Sequence, residues 1–157
     1  MNELDRYYAK ALKFLSYRPR SEKEVRENLV KKKAPSHIIQ TIIDKLREHR
    51  FLDDAEFSRI WVESRIRSKP QSLRITKLEL RRKGVSEEII ESQISNIKFP
   101  IPNDIEQARK LVEKKMARYK GLSRDEIYKK LSGVLGRRGF NWDTIKEAID
   151  EVMAKEV

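Results

Sequence analysis

Apolar residues recur along this chain at the three- and four-residue spacings of amphipathic helices, in groups separated by capping and turn residues. Tyr8, Ala11, Leu12 and Leu15 share one stripe, which Arg18, Pro19 and Arg20 interrupt. Ser21 with Glu24 three residues later has the pattern of a capping box, so a second helix is predicted from about Glu22 to Lys33. Pro35 ends it, and Ser36 is placed to cap a third helix whose core face is Ile39, Ile42, Ile43 and Leu46. The pattern then restarts. Asp53 or Asp54 caps a helix with Phe57, Ile60, Trp61 and Ser64 on one stripe; Pro70 and Ser72 open a helix that Gly84 closes; Ser86 opens another with Ile90, Ile94 and Ile97. After Pro100 and Pro102 it restarts again, with Asp104 beginning a helix that carries Ala108, Leu111, Val112 and Lys115. Ser123 and Glu126 make a second capping-box pattern, Gly139 a second helix end, and Ile145, Ile149 and Val152 a last inward face.

These groups align. Gly84, Val85, Ile90, Ile94 and Ile97 map onto Gly139, Phe140, Ile145, Ile149 and Val152 at a constant offset of 55. Ile39, Ile43 and Leu46 precede Ile90, Ile94 and Ile97 by 51, while Ala34 precedes Gly84 by 50, which calls for one small indel. The expected fold is all-α: three tandem three-helix (helix-turn-helix-like) repeats at 1–50, 51–99 and 103–157, forming an elongated, curved array. Each repeat is too short for a large core of its own, so neighbours are expected to pack or to be joined by short, directed connectors. No run of alternating β-branched residues bounded by turns is present.

Composition narrows the function. The chain has 36 Lys and Arg against 25 Asp and Glu, a formal charge of +11, and a high pI, which point to a polyanionic partner. With no cysteine, a disulfide framework, a thiol nucleophile and a thiolate metal site are excluded. The polar N-terminus and the lack of a long apolar run predict a cytoplasmic, soluble monomer without a membrane association. His37 and His49 lack a ligand partner at helical spacing, and Asp53-Asp54 is better explained by capping than by acid–base chemistry. No metal, cofactor or enzymatic activity is expected. Gly136-Arg137-Arg138-Gly139 matches the Gly-x-x-Gly loop of KH domains, but it aligns with the helix end at Lys83-Gly84 and has no accompanying strands.

The positive charge is concentrated. Arg59, Arg65, Arg67, Lys69, Arg74, Lys77, Arg81, Arg82 and Lys83 stand against only Glu63 and Glu79 in that stretch. Part of this complements helix dipoles, but the excess continues through the connector, which makes the belt a candidate partner- or DNA-binding surface. Within it Leu73, Thr76 and Leu80 share one helical face while Ile75 and Leu78 project roughly opposite. Ile75 and Leu78 either pack on a neighbouring repeat or offer an apolar contact to a partner. Trp61 and Phe57 read as core, and Trp142 as partly exposed.

Leu52-Asp53-Asp54-Ala55-Glu56-Phe57, followed by the basic helix ending Leu80-Arg81-Arg82-Lys83-Gly84-Val85-Ser86 and then Ile89-Ile90, resembles the signature of the RecX family of bacterial RecA regulators. The resemblance runs from about Tyr8 to Met153 and includes the triple three-helix repeat; Lys33-Ala34-Pro35 departs from the usual Lys-Gly-apolar helix end. It implies that Leu52, Asp53, Asp54, Phe57, Leu80 and Gly84 are structural signature positions. It also implies a non-enzymatic protein that docks in the groove of RecA–single-stranded DNA filaments, restrains their growth, ATP turnover and strand exchange, and meets single-stranded DNA within that complex, with weak direct DNA binding besides. The rival readings are a helix-turn-helix-like protein acting on DNA directly and a helical adaptor.

Overall fold

The computed structural model describes residues 2–97 and 101–155, and every regular element among them is helical. The helices are α1 (Glu3–Tyr17), α2 (Glu22–Lys31), α3 (Ser36–Glu48), α4 (Asp54–Ser68), α5 (Leu73–Arg82), α6 (Glu87–Ser95), α7 (Asp104–Met116), α8 (Arg124–Arg137) and α9 (Trp142–Lys155), with a 3₁₀ turn at Ala117–Tyr119. This is an all-α tandem repeat of three helices each. Pro100 lies outside the described residues; Pro102 directly precedes Asn103, the N-cap of α7.

Side-chain oxygens of Asn2, Ser21, Ser86, Asn103 and Ser123 each accept the backbone N–H three residues on, satisfying an orphan amide of the helix they open. Only at Ser21 does the reciprocal bond of a full capping box form, with Glu24 Oε1 accepting from the Ser21 amide at 3.2 Å. Ser36 is not a cap: Pro35 occupies that position with φ −63°, and Ser36 is the first helical residue. At the start of α4 the two acids divide the work. Asp53 Oδ1 accepts from the amides of Ala55 and Glu56 at 3.0 and 3.2 Å, whereas Asp54 turns elsewhere.

Gly84 and Gly139 close α5 and α8 in the left-handed conformation, at φ 82° and 86°. The equivalent residue after α2 is Lys33, at φ 67°, and not Ala34. Lys33 precedes Gly84 by 51, the same offset as Ile39 to Ile90, so the indel between helix end and third helix disappears. The stripe expected on α4 is also corrected. Phe57, Ser58 and Val62 are buried, Ile60 and Trp61 are half-buried, and Ser64 is exposed. The reason is that α4 serves two compact units and has no single covered face. Ile97, placed on the last helix of the second repeat by its spacing, lies beyond the end of α6.

Unit 1 comprises the residues up to Trp61 with Glu79–Asn96; unit 2 comprises Val62–Leu78 with the residues from Ile97 onward. Unit 1 has a core of Ala11, Val25, Leu29, Ile38, Ile39, Ile42, Ile43, Leu46 and Leu52. Unit 2 has one of Ala108, Leu111, Val112, Leu131, Leu135, Phe140, Ile145, Ala148, Ile149, Val152 and Met153. Each large side chain so buried contributes about 1.5 to 3 kcal/mol. The second repeat is divided between the units: Phe57, Leu80, Val85 and Ile90 are buried in unit 1, and Val62 in unit 2.

Each unit contains one joint between consecutive repeats, built to a common plan. In unit 1 the first turn of α2 meets the acid that opens α4 and the end of α5. The Glu22 amide donates to Asp54 Oδ1 at 2.9 Å, Ser21 Oγ to the Lys83 carbonyl at 2.7 Å, and Lys23 Nζ to the Arg82 carbonyl at 3.3 Å. In unit 2 the Leu73 amide donates to Asp104 Oδ1 at 3.0 Å, the Ser72 amide to the Arg138 carbonyl at 3.0 Å, and Arg74 Nη2 to the Gly139 carbonyl at 3.2 Å. Orphan amides of one helix thereby meet a carboxylate, and orphan carbonyls of another meet donors, so opposite dipole ends face each other. Ser21 and Ser72 are both 0% exposed. Glycine is needed at both joints for contact as well as for φ. A Cβ on Gly84 would stand 2.7 Å from Lys23 Cβ, and one on Gly139 would stand 1.9 Å from Ile75 Cγ1.

Candidate partner-binding interface

Folding commits much of the basic belt to internal contacts. In unit 1, Arg59 pairs with Glu56 one turn earlier, Arg81 pairs with Glu87 at the start of α6, and Lys83 Nζ lies 3.7 Å from Glu24 Oε2 and 5.6 Å from the centre of the Trp61 ring. Arg82 is exposed and its carbonyl receives Lys23. In unit 2, Arg74 reaches the Gly139 carbonyl, Arg65 and Lys77 are half-buried and engaged with neighbours, Lys69 is half-buried, and Arg67 is exposed. Ile75 packs on Gly139 within the joint, and Leu78 is half-buried in the same unit. Of the belt's nine cations, Arg67 and Arg82 are the ones exposed with no side-chain hydrogen bond or ion pair among the described residues.

The signature positions occupy the joint and its surroundings. Leu52 joins the core of unit 1, Phe57 and Leu80 are buried, Asp53 caps α4, and Asp54 and Gly84 are the two halves of the docking site for α2. Burial raises the Asp54 carboxyl above its ordinary value even though it accepts the Glu22 amide. Burial acts in the same direction on Glu22, but hydrogen bonds and charge from Arg47 and Arg26 outweigh it and hold that carboxyl below its ordinary value.

A second concentration of positive charge, in the third repeat, went unremarked in the sequence because it is spread over two helices. From Arg109 to Arg138 there are eleven basic residues against three acidic ones. The Lys115 ammonium is held below its ordinary value by Arg118 first, then by desolvation and by Arg138 and Lys114, so these four cations crowd one region. On α8, Lys129, Lys130 and Arg137 line an open cavity of about 560 Å³ with Tyr119, Val134 and one acid, Glu126. Lys114, Lys115, Arg118, Lys129, Lys130 and Arg137 make no ion pair among the described residues. An excess of like charge of this kind favours a multivalent anion. Trp142, 57% exposed, stands edge-on to Tyr128. Gly136 is inside α8, so the Gly-x-x-Gly segment is a helix end and not a loop. Among the described residues no group of three His, Asp or Glu could hold a metal ion, and no helix is long and apolar enough to cross a membrane.

Three models of one family match in order: RecX, first three-helix domain, over residues 8–46; second three-helix domain, over 53–92; third three-helix domain, over 103–149. The chain belongs to the RecX family. It is similar to regulatory protein RecX of Bacillus subtilis strain 168, 32% identical over 151 residues that make up 96% of this chain and 56% of that protein. Its identity to regulatory protein RecX of Geobacillus sp. strain WCH70 is 36%, over 99% of this chain and 55% of the relative. The chain thus spans little more than half the length of these curated relatives. A crystal structure of RecX from Lactobacillus salivarius matches with a TM-score of 0.72 at 26% identity, covering 96% of this chain and 97% of that one. A second, titled regulatory protein RecX, shares the fold at a TM-score of 0.75 and 24% identity, over 94% of this chain and 73% of that one.

Proposed function

We propose that this protein is a non-enzymatic regulator that binds RecA–single-stranded DNA filaments and inhibits their growth, ATP hydrolysis and strand exchange, thereby modulating recombination and repair. Membership of the RecX family is the observation that carries this reading; the basic surfaces support it. In unit 1 the exposed Arg82 would face the filament; in unit 2 Arg67, Lys69 and Leu78 would do so, and the cations of the third repeat would face its phosphates. Single-stranded-DNA-dependent ATP hydrolysis by RecA tests it: substoichiometric amounts of the protein are expected to slow turnover. Unchanged turnover at a large molar excess overturns the proposal.

A direct DNA-binding role is the second reading, favoured by the excess of cations around Lys115, Arg118, Lys129 and Lys130. It predicts tight binding to naked DNA that weakens steeply with salt, because each neutralised phosphate releases counterions. It also predicts that changing Lys115, Arg118 and Lys130 together to Glu weakens inhibition of RecA in proportion to the loss of DNA affinity, whereas the filament reading predicts that inhibition outlasts the loss of binding to naked DNA.

A further inference from the structure

The joint is repeated twice in the chain, and its donor half occurs three times. Ser123, the N-cap of α8, is the counterpart of Ser21 and Ser72, yet it is exposed where they are completely buried. Ile127, four residues after that serine, is half-exposed, whereas the matching Val25 and Thr76 are buried. The amide of Arg124, in the place of the Glu22 and Leu73 amides that Asp54 and Asp104 receive, has no hydrogen bond among the described residues. Beside this turn opens a groove of about 530 Å³, to which Met116, Leu122, Ile127 and Met153 contribute apolar walls.

We propose that the first turn of α8 and this groove form a third docking face of the same kind, and that its occupant is a further three-helix repeat. That repeat carries an acidic residue at the start of its first helix and a basic residue followed by glycine at the end of its second. The acid is required by the Arg124 amide, as in both internal joints. The basic residue is required by Glu126, which stands where Glu24 meets Lys83 Nζ at 3.7 Å. The glycine is required by contact, since a Cβ at either internal joint would strike the docked turn at 2.7 Å or less. An apolar groove continuous with such a turn is covered by the repeat that fills it.

The first repeat of a second copy of this chain meets two of these requirements and fails the third. Glu3 opens α1 as Asp54 and Asp104 open α4 and α7, and Lys32 matches Lys83. Lys33, however, carries a Cβ at the position where Gly84 and Gly139 have none. Lys33 therefore keeps the chain from docking head-to-tail on itself and reserves the face for a different repeat. Family relatives matched over only 55–56% of their own length have chain to supply one.

Sedimentation velocity on the full chain tests this. The wild type is expected to sediment independently of concentration. Lys33→Gly completes the acceptor and is expected to produce concentration-dependent association. Adding Ile127→Glu, or the exposed change Glu126→Lys, is expected to abolish that association while far-ultraviolet circular dichroism stays unchanged. The proposal is overturned if the Lys33→Gly variant sediments as the wild type does, if it associates equally well with Glu126→Lys, or if the wild type itself associates through α8.

Discussion

The joint in unit 1 and the joint in unit 2 share the amide-to-carboxylate bond, Glu22 to Asp54 and Leu73 to Asp104, and differ in the groups that reach the helix-end carbonyls and in the side chains that close over the glycine. Lys23 lies against Gly84, and around it Arg18, Arg20, Lys83 and Glu24 form one ion-pair group, with Arg26, Arg47 and Glu22 forming another. Ile75 lies against Gly139, and the donors beside it go to neutral acceptors: Gln71 Nε2 donates to Thr76 Oγ1 at 2.9 Å, and Arg138 donates to the Pro70 carbonyl at 3.0 Å. One geometry is thus sealed once by charge and once by apolar contact. The lesson is that the conserved part of this docking is the meeting of helix ends, and that the side chains over it are free to set its sensitivity to salt and pH.

The hardest test of that comparison is to add a methyl group to each glycine. Gly139→Ala is expected to cost about 3 to 4 kcal/mol, since the new Cβ would overlap Ile75 Cγ1 and approach Ser72 Oγ to 2.6 Å in addition to the left-handed strain. Gly84→Ala should cost about 2 kcal/mol, because the Lys23 stem is less confined. Urea denaturation followed by circular dichroism gives both values, and equal losses would erase the distinction between the joints. Ile75→Ala, next in size, removes the apolar seal of unit 2 for about 1 to 2 kcal/mol with no change in salt dependence.

Glu22→Gln should cost about 1 kcal/mol near neutral pH, because Arg26 and Arg47 lose their carboxylate. Its folded-state value lies below the unfolded one, so its contribution is present above the unfolded value and is lost as pH falls through the lowered one. Asp54 runs the other way: its raised value makes the charged form costly near neutrality, and acidification relieves that cost. Denaturation across the carboxylate range should therefore show the wild-type and Glu22→Gln curves converging on the acid side; parallel curves would remove Glu22 from the joint. The smallest effect is expected from Lys23→Met, within about 0.5 kcal/mol, since the stem stays and a half-exposed ammonium contact is lost.

What could be read from the residues alone was what is local. Caps such as Ser21 and Ser86, the glycine ends at Gly84 and Gly139, and the buried faces of α3 and α9 depend on residues within one or two turns, and their spacing shows in the chain. Two features depended on distant partners, and a third on a backbone conformation. Asp53 and Asp54 are identical in type and adjacent, and only the Glu22 amide, 32 residues upstream, separates the cap from the docking acid. Lys33 was misaligned by one because a lysine in the left-handed conformation has no compositional mark. The belt appeared free because Glu24 and Glu56, which engage two of its cations, precede it in the chain, while Glu87, which engages Arg81, follows it.

The Ser21-to-Lys83 bond spans 62 residues, and it crosses from one repeat to the next. During synthesis from the N-terminus, α2 can form as soon as it leaves the ribosome, but its first turn stays open until α5 has followed. Each of the first two repeats is completed one repeat late, by its successor, so a pause or truncation in the second repeat leaves the first one unfinished as well.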